Sequence, residues 1–251
     1  PIGSGATVKI INNLVMAANC AASIEGLLLG IKAGLKPDDV IDDAPVQVGN
    51  WSPSNFDGQF QGPVTVADGL ANSINTVAVR VAMKAGIGRV ADTARSLGID
   101  PGDKPDASIA LGTVETTLLE LVSAYAPFAN GGDGIIPYGI KEIRDGGGQI
   151  LFKRTGSGPG NVVPPHLVGP MNNMLHKVIT DGTGKAAAFG RDAAGKTGTS
   201  QNYRDAWFVG YTGELVTGIW MGNDDNSPMK RVTGSGFPAR LWADFTRNAL
   251  K

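Results

Sequence analysis

Two apolar runs near the C-terminal end constrain this chain more than any other feature. Ala206-Trp-Phe-Val-Gly-Tyr-Thr and Leu215-Val-Thr-Gly-Ile-Trp-Met are each seven residues long and rich in aromatic and β-branched side chains, and only Gly213-Glu214 separates them. Runs of this length and composition read as buried strands. A two-residue connection joins strands only as an antiparallel pair. The fold therefore contains an antiparallel sheet, and the remaining elements have to be packed around it.

Most of those elements read as helices. Thr7 to Ala33 is a long amphipathic helix, with Ile10, Ile11, Leu14, Val15, Ala18, Ala21 and Ala22 at spacings of three and four, Gly34 as its left-handed terminator and Pro37 beyond. Asp43 to Val64 is irregular around the Ser52-Pro-Ser-Asn turn signal. Thr65 to Ala85 reads as one helix, with Thr65 as N-cap and Asp68 three residues on. Further helices are expected within Gly86 to Gly98, Glu115 to Asn130, Pro164 to Ile179 and Phe237 to Asn248. Ile140 to Arg144 and Gln149 to Lys153 read as a hairpin over a glycine turn. With 36 glycines and 15 prolines the chain has too many turns for a helical bundle. The class is α+β, helices flanking an antiparallel sheet.

Charge and ligand chemistry narrow the function. Lys plus Arg is 22 and Asp plus Glu is 23, so a net charge of -1 argues against a nucleic-acid partner or an anionic membrane surface. Cys20 is the single cysteine, so no internal disulfide forms. No apolar run approaches the roughly 18 residues of a membrane span, and the first residues do not read as a signal peptide. His166 and His176 have no cysteine or carboxylate cluster beside them, so no metal is expected. Asp224-Asp225 reads as a solvated turn rather than a cation site.

Two short motifs carry chemistry. Lys196-Thr-Gly-Thr precedes the first apolar run. A cation and a hydroxyl on one face of a strand bind a substrate carboxylate, and a glycine lets an acyl group lie along the strand edge. The backbone N–H that follows can donate to an oxyanion. Ser73-Ile-Asn75 places a hydroxyl and an amide within reach of one cavity, the first to pass a proton and the second to hold a carbonyl. Each motif alone is weak.

Their order and context are specific. Ala67-Asp-Gly-Leu-Ala-Asn-Ser-Ile-Asn, Ala110-Leu-Gly-Thr-Val-Glu-Thr-Thr, Ala124-Tyr-Ala-Pro-Phe-Ala-Asn-Gly-Gly, Asp181-Gly-Thr-Gly-Lys-Ala and Gly195-Lys-Thr-Gly-Thr-Ser-Gln-Asn-Tyr-Arg-Asp-Ala-Trp-Phe-Val-Gly-Tyr-Thr follow one another along four fifths of the chain. Together they resemble the transpeptidase domain of class A penicillin-binding proteins. That resemblance implies the penicillin-binding-protein/β-lactamase fold, acyl transfer on peptidoglycan stem peptides, β-lactams as covalent inhibitors and no cofactor. It also implies an extracytoplasmic location, with membrane contact only through a segment outside this chain. Ser73, Asn75 and Lys196 would be catalytic, and Thr197, Gly198 and Thr199 would bind substrate. Asp205, beside Trp207, would order the loop after the strand motif. Read from the residues alone, Trp51 and the glycine-rich loop near Gln59 line a cleft or, for the tryptophan, anchor the loop by packing.

The family pattern breaks at its nucleophile. No Ser-x-x-Lys lies upstream of Ser73, and counting back from Gly34 puts Cys20 and Ser23 on the serine and lysine positions. A thiol without a neighbouring base is a poor nucleophile, and Cys20 reads as a small thiol packed in a helix. Residues 1–42, from Gly3-Ser-Gly-Ala-Thr-Val-Lys-Ile-Ile-Asn-Asn-Leu onward, instead resemble the interdomain helix of β-hydroxyacid dehydrogenases. Lys9 and Asn13 fall on that family's acid/base and substrate positions, yet no dinucleotide-binding βαβ unit accompanies them. They read as a solvated helix edge, unless Lys9 turns into the cleft as a replacement base. The chain thus reads as a chimera, with a dehydrogenase-like helix over 1–42 and a transpeptidase-like body over 43–251 in one structural domain. The expected function is an impaired transpeptidase. The alternatives are a peptidoglycan- or β-lactam-binding pseudo-enzyme and, ranked last, a dehydrogenase fragment.

Overall fold

The computed structural model describes residues 34–156 and 158–251. The helix expected over Thr7 to Ala33, with Lys9, Asn13, Cys20 and Ser23, lies outside the described residues. Strands β1 (Val40–Asp43) and β2 (Gly62–Thr65) pair antiparallel and enclose a loop of irregular backbone. Helices α1 (Val66–Ala71), α2 (Asn75–Ala85) and α3 (Ile87–Ser96) follow, then a short 3-10 turn at Ala107–Leu111 and α4 (Leu118–Asn130). Two small two-stranded sheets come next, β3 (Asp133–Gly134) with β6 (Gly160–Asn161) and β4 (Glu142–Arg144) with β5 (Ile150–Lys153). Helix α5 (Pro165–Thr180) leads to the central sheet of β7 (Ala194–Thr199), β8 (Asp205–Tyr211) and β9 (Val216–Gly222), and α6 (Phe237–Ala249) closes the order.

The central sheet is antiparallel in the order β7-β8-β9, as the two apolar runs imply. Alternation along β8 decides what covers each face. Trp207, Val209 and Tyr211 join the main core with Leu121 and Tyr125 of α4 and Met171 and Leu175 of α5. Phe208 turns the other way and packs with Trp242, Ala239 and Ala243 of α6. Glycines stand where helices come closest. A Cβ on Gly218 would meet Val122 Cγ2 at 2.5 Å, and one on Gly210 would meet the Trp242 ring at 2.9 Å. The Trp242 indole N–H is shared between Gly210 O at 3.2 Å and Thr217 O at 3.0 Å, so this large buried side chain leaves no orphan donor.

Three elements differ from the sequence expectation. The helix expected over Thr65 to Ala85 is two helices, α1 and α2, broken at Asn72 to Ile74. Ile74 N–H bonds back to Gly69 O at 2.9 Å, and Ser73 adopts the left-handed backbone at φ 55°. Gly69 permits the fold-back, because a Cβ there would sit 2.5 Å from Val77 Cγ1. Helix α4 starts at Leu118 rather than Glu115, since Thr117 forms a reciprocal capping box with Glu120. The region 43–64, expected to be irregular throughout, starts on the last residue of β1 and runs into β2.

The loop between β1 and β2 is held by one buried carboxylate. Asp43 Oδ1 accepts from Asn55 Nδ2 at 2.7 Å and Thr76 Oγ1 at 2.5 Å, while Oδ2 accepts from Gln61 N–H at 2.8 Å. Asn55 also donates to Gln59 O and accepts from Thr76 N–H. Strand β1, the loop and the first turn of α2 are thereby locked together. Burial alone would push the Asp43 carboxyl up, but the donors from Thr76, Asn55 and Gln61, with the charge of Arg80, outweigh it and hold it below the usual carboxylate range.

Because the native value lies below the unfolded one, this contribution is complete above the ordinary aspartate pKa of about 4. It is lost as pH falls through the lowered native value. Thermal melts from neutral to strongly acid pH are expected to show a stability plateau that breaks downward below about pH 4, with a flatter acid arm in Asp43→Asn. Asp43→Ala strands the buried Asn55 and Thr76 donors and is expected to cost roughly 2–4 kcal/mol at neutral pH in chemical denaturation.

Candidate active site

A cleft opens between the helical lobe and the β7 edge of the central sheet. Its described walls include Ser73 and Asn75 from the α1–α2 junction, Lys196 to Thr199 from β7, Thr183 from the loop after α5, and Ser54 to Gln59 from the β1–β2 loop. The helix break puts Ser73 there. A continuous helix would have carried the serine on its cylinder, whereas the left-handed residue lifts it off the end of α1. Asn75 opens α2 and donates from Nδ2 to Ser54 O at 2.8 Å, which fixes the loop wall to the helix.

Lys196 is 2% exposed. A buried ammonium needs acceptors to offset lost hydration. Lys196 Nζ donates to Ser73 Oγ, a very short contact, and to Thr197 O at 2.9 Å. Ser73, Asn75 and Lys196 thus meet in one cleft, although Lys196 lies over a hundred residues from the other two. With its lone pair engaged by a cation, the Ser73 hydroxyl keeps its own proton to donate to a bound molecule.

The strand motif is arranged differently from the sequence reading in one respect. Lys196 and Thr197 do not share a strand face, because neighbours on a strand point to opposite sides. They border the same cleft because β7 is an edge strand among the described residues. Thr197 Oγ1 lies 2.6 Å from Thr183 Oγ1. Thr199 Oγ1 accepts from Gly234 N–H at 3.0 Å. Gly234 lies flat on the sheet, where a Cβ would sit 2.2 Å from Trp207 O and 2.5 Å from Gly198 O. Thr233 and Ser235 stand on either side of it, their hydroxyls 3.0 Å apart on the cleft rim.

The remaining sequence candidates fall as follows. Asp205 orders the turn after β7: Ser200 Oγ donates to its Oδ2 at 2.8 Å and Trp220 Nε1 to its Oδ1 at 3.0 Å. Trp51 and Gln59 border the cleft. His166 and His176 are exposed on α5, where His176 Nδ1 contacts Ala193 O at 2.8 Å. Asp225 caps its own turn by accepting from Ser227 N–H. Among the described residues no cluster suits a metal ion. At the cleft mouth, Phe56 and Tyr203 meet edge-on at 5.8 Å and join the β1–β2 loop to the loop after β7. Sequence reading passed over Asp43, Asn55, Thr76, Thr183 and this aromatic pair. The signal for Thr183 was its place between Gly182 and Gly184.

Residues 25–219 match the family model for the penicillin binding protein transpeptidase domain. The chain belongs to the penicillin-binding protein transpeptidase domain family. Penicillin-binding protein 1A of Rickettsia conorii is 33% identical over 89% of this chain, and that of Aquifex aeolicus is 38% identical over 79%. The alignments cover 32% and 27% of those proteins, so the chain spans about a third of its curated relatives. Penicillin-binding protein 1A from Haemophilus influenzae superposes with a TM-score of 0.86 at 25% identity, covering 94% of this chain and 42% of that one. PonA1 from Mycobacterium tuberculosis in complex with penicillin V gives 0.85 at 26% identity, covering 96% and 70%. The α+β transpeptidase fold is therefore shared. Residues 3–45 match a second model, the NAD-binding domain of NADP-dependent 3-hydroxyisobutyrate dehydrogenase, and the two matches overlap at 25–45.

Ser73 offers a direct check on how this transpeptidase-family cleft is built. Glycine takes its left-handed backbone without strain, so Ser73→Gly regains part of what loss of the hydroxyl costs, and Ser73→Ala does not. Chemical denaturation is expected to show both variants below wild type, with Ser73→Gly above Ser73→Ala by about 1 kcal/mol.

Proposed function

We propose that the chain is a peptidoglycan D,D-transpeptidase-type domain that binds the carboxylate end of stem peptides, and β-lactams, without forming an acyl-enzyme. The observation that carries this reading is the buried Lys196 ammonium bonded to Ser73 across the cleft. A cation, the Ser73 and Thr197 hydroxyls and the Asn75 amide line one cavity. That set fits an anionic, amide-bearing ligand.

Acyl transfer needs more than binding. A nucleophile has to be activated by an adjacent base. In sequence, Cys20 and Ser23 stand where the family has its serine and lysine, and the chain has no Ser-x-x-Lys before Ser73. Residues 1–42 are read as a dehydrogenase-like segment joined to a transpeptidase body over 43–251. The family match over 25–219 supports the body, and the second match over 3–45 supports the junction. An extracytoplasmic, cell-wall location goes with this reading. Among the described residues no helix is long and apolar enough to cross a membrane.

Incubation with a fluorescent penicillin, followed by denaturing gels and intact mass, is expected to show no covalent label. Titration with a stem-peptide analogue is expected to show reversible binding that weakens about tenfold or more in Lys196→Met. Restoring the motif as Cys20→Ser with Ser23→Lys is expected to produce labelling. A stoichiometric penicilloyl adduct on the wild-type chain would refute the proposed silence.

A further inference from the structure

We propose that Thr183 is a positioning residue: its hydroxyl donates to Thr197 and so leaves the Thr197 proton to point at a substrate carboxylate. This deepens the proposed function and rests on its reading of the cleft as a carboxylate site.

Thr183 sits in a loop with little freedom. Gly182 is pressed on the end of α1, where a Cβ would lie 2.1 Å from Ala71 O and 3.0 Å from Val178 Cα. Gly184 is pressed on α5, where a Cβ would lie 3.0 Å from Val178 Cγ1. Thr183 N–H donates to Ala71 O at 3.0 Å and Gly184 N–H to Val178 O at 2.8 Å. The two flanking residues are thus pinned to two helices, and the Thr183 side chain is delivered to one place, against Thr197.

Two acceptors are offered to the Thr183 hydroxyl. Thr197 Oγ1 is 2.6 Å away and Ala71 O is 3.4 Å away, the latter already accepting the Thr183 N–H. Either oxygen could donate across the 2.6 Å contact, but good O–H···O bonds span about 2.5–3.0 Å, so the Thr183 proton gains little from Ala71 O and we assign it to Thr197. Thr197 then accepts, and its own proton remains. Among the described residues Thr197 Oγ1 has no second partner, and both threonines border the cleft. Lys196 Nζ is held at the neighbouring Thr197 O.

The direction of this pair matters for an anion. If Thr197 donated to Thr183, only its lone pairs would face the cleft, and they would repel a carboxylate. With Thr183 as donor, a relay runs from Thr183 through Thr197 to the ligand. A hydroxyl that accepts one hydrogen bond is a stronger donor in the next. Thr183 therefore acts through Thr197 and needs no contact with substrate.

The test is a ligand-and-variant cycle on the whole chain. Titration calorimetry would compare a stem-peptide analogue ending in a free carboxylate with the same peptide ending in a carboxamide. Wild type is expected to prefer the carboxylate. Thr183→Val keeps shape and backbone bonds but removes the donor. It is expected to bind the carboxylate peptide about tenfold more weakly, with carboxamide affinity unchanged. Thr183→Ser is expected to recover the preference. If Thr183→Val does not fold, Thr183→Ala against Thr183→Ser makes the same comparison. Equal loss for both peptides, or no loss for either, would overturn the inference and leave the proposed function standing. A wild-type chain that binds neither peptide would overturn both.

Discussion

The burial of one ammonium group organises this cleft. Lys196 lies on a strand whose neighbours are Trp207 and Val209, an environment that penalises an uncompensated charge by far more than any single contact returns. Among the described residues its compensation includes Thr197 O on its own strand and Ser73, which belongs to the helical lobe. The helix break at Asn72 to Ile74, the left-handed serine and the close approach of Gly69 to Val77 all bring that hydroxyl to the charge. Sheet and helices are thus tied at the point where a ligand would sit.

What was legible in the sequence follows the range of the signal. Strands β8 and β9 were plain because seven-residue apolar runs with a two-residue turn admit one arrangement. The β4–β5 hairpin was plain from its glycine turn. The split between α1 and α2 was not, because Asn72-Ser-Ile carries neither glycine nor proline and the break is set by packing of Gly69 on Val77. Strands β1 and β2 were hidden for a similar reason: four-residue strands containing Asp42, Asp43, Gly62 and Pro63 have low strand propensity and are held by the Asp43 network.

The candidate site divides the same way. Ser73, Asn75 and Lys196 were readable as motifs, and the structure brings them to one cleft. Thr183 and Asn55 were not, because their importance lies in what the fold sets beside them: a hydroxyl on strand β7 in one case and a buried carboxylate in the other. Placing Lys196 and Thr197 on one strand face failed on the period of the strand itself, and the edge position of β7 is what reunites them.

An aromatic contact spans the cleft mouth. Phe56 is 64% exposed and meets Tyr203 of the other rim loop edge-to-face. Such a meeting is worth about 0.5–1.5 kcal/mol, comparable with thermal energy. Alone it adds little to the barrier for parting the two rim loops. The cleft mouth is thus bridged by a weak joint, while the Asp43 and Lys196 tethers behind it each rest on more than one hydrogen bond.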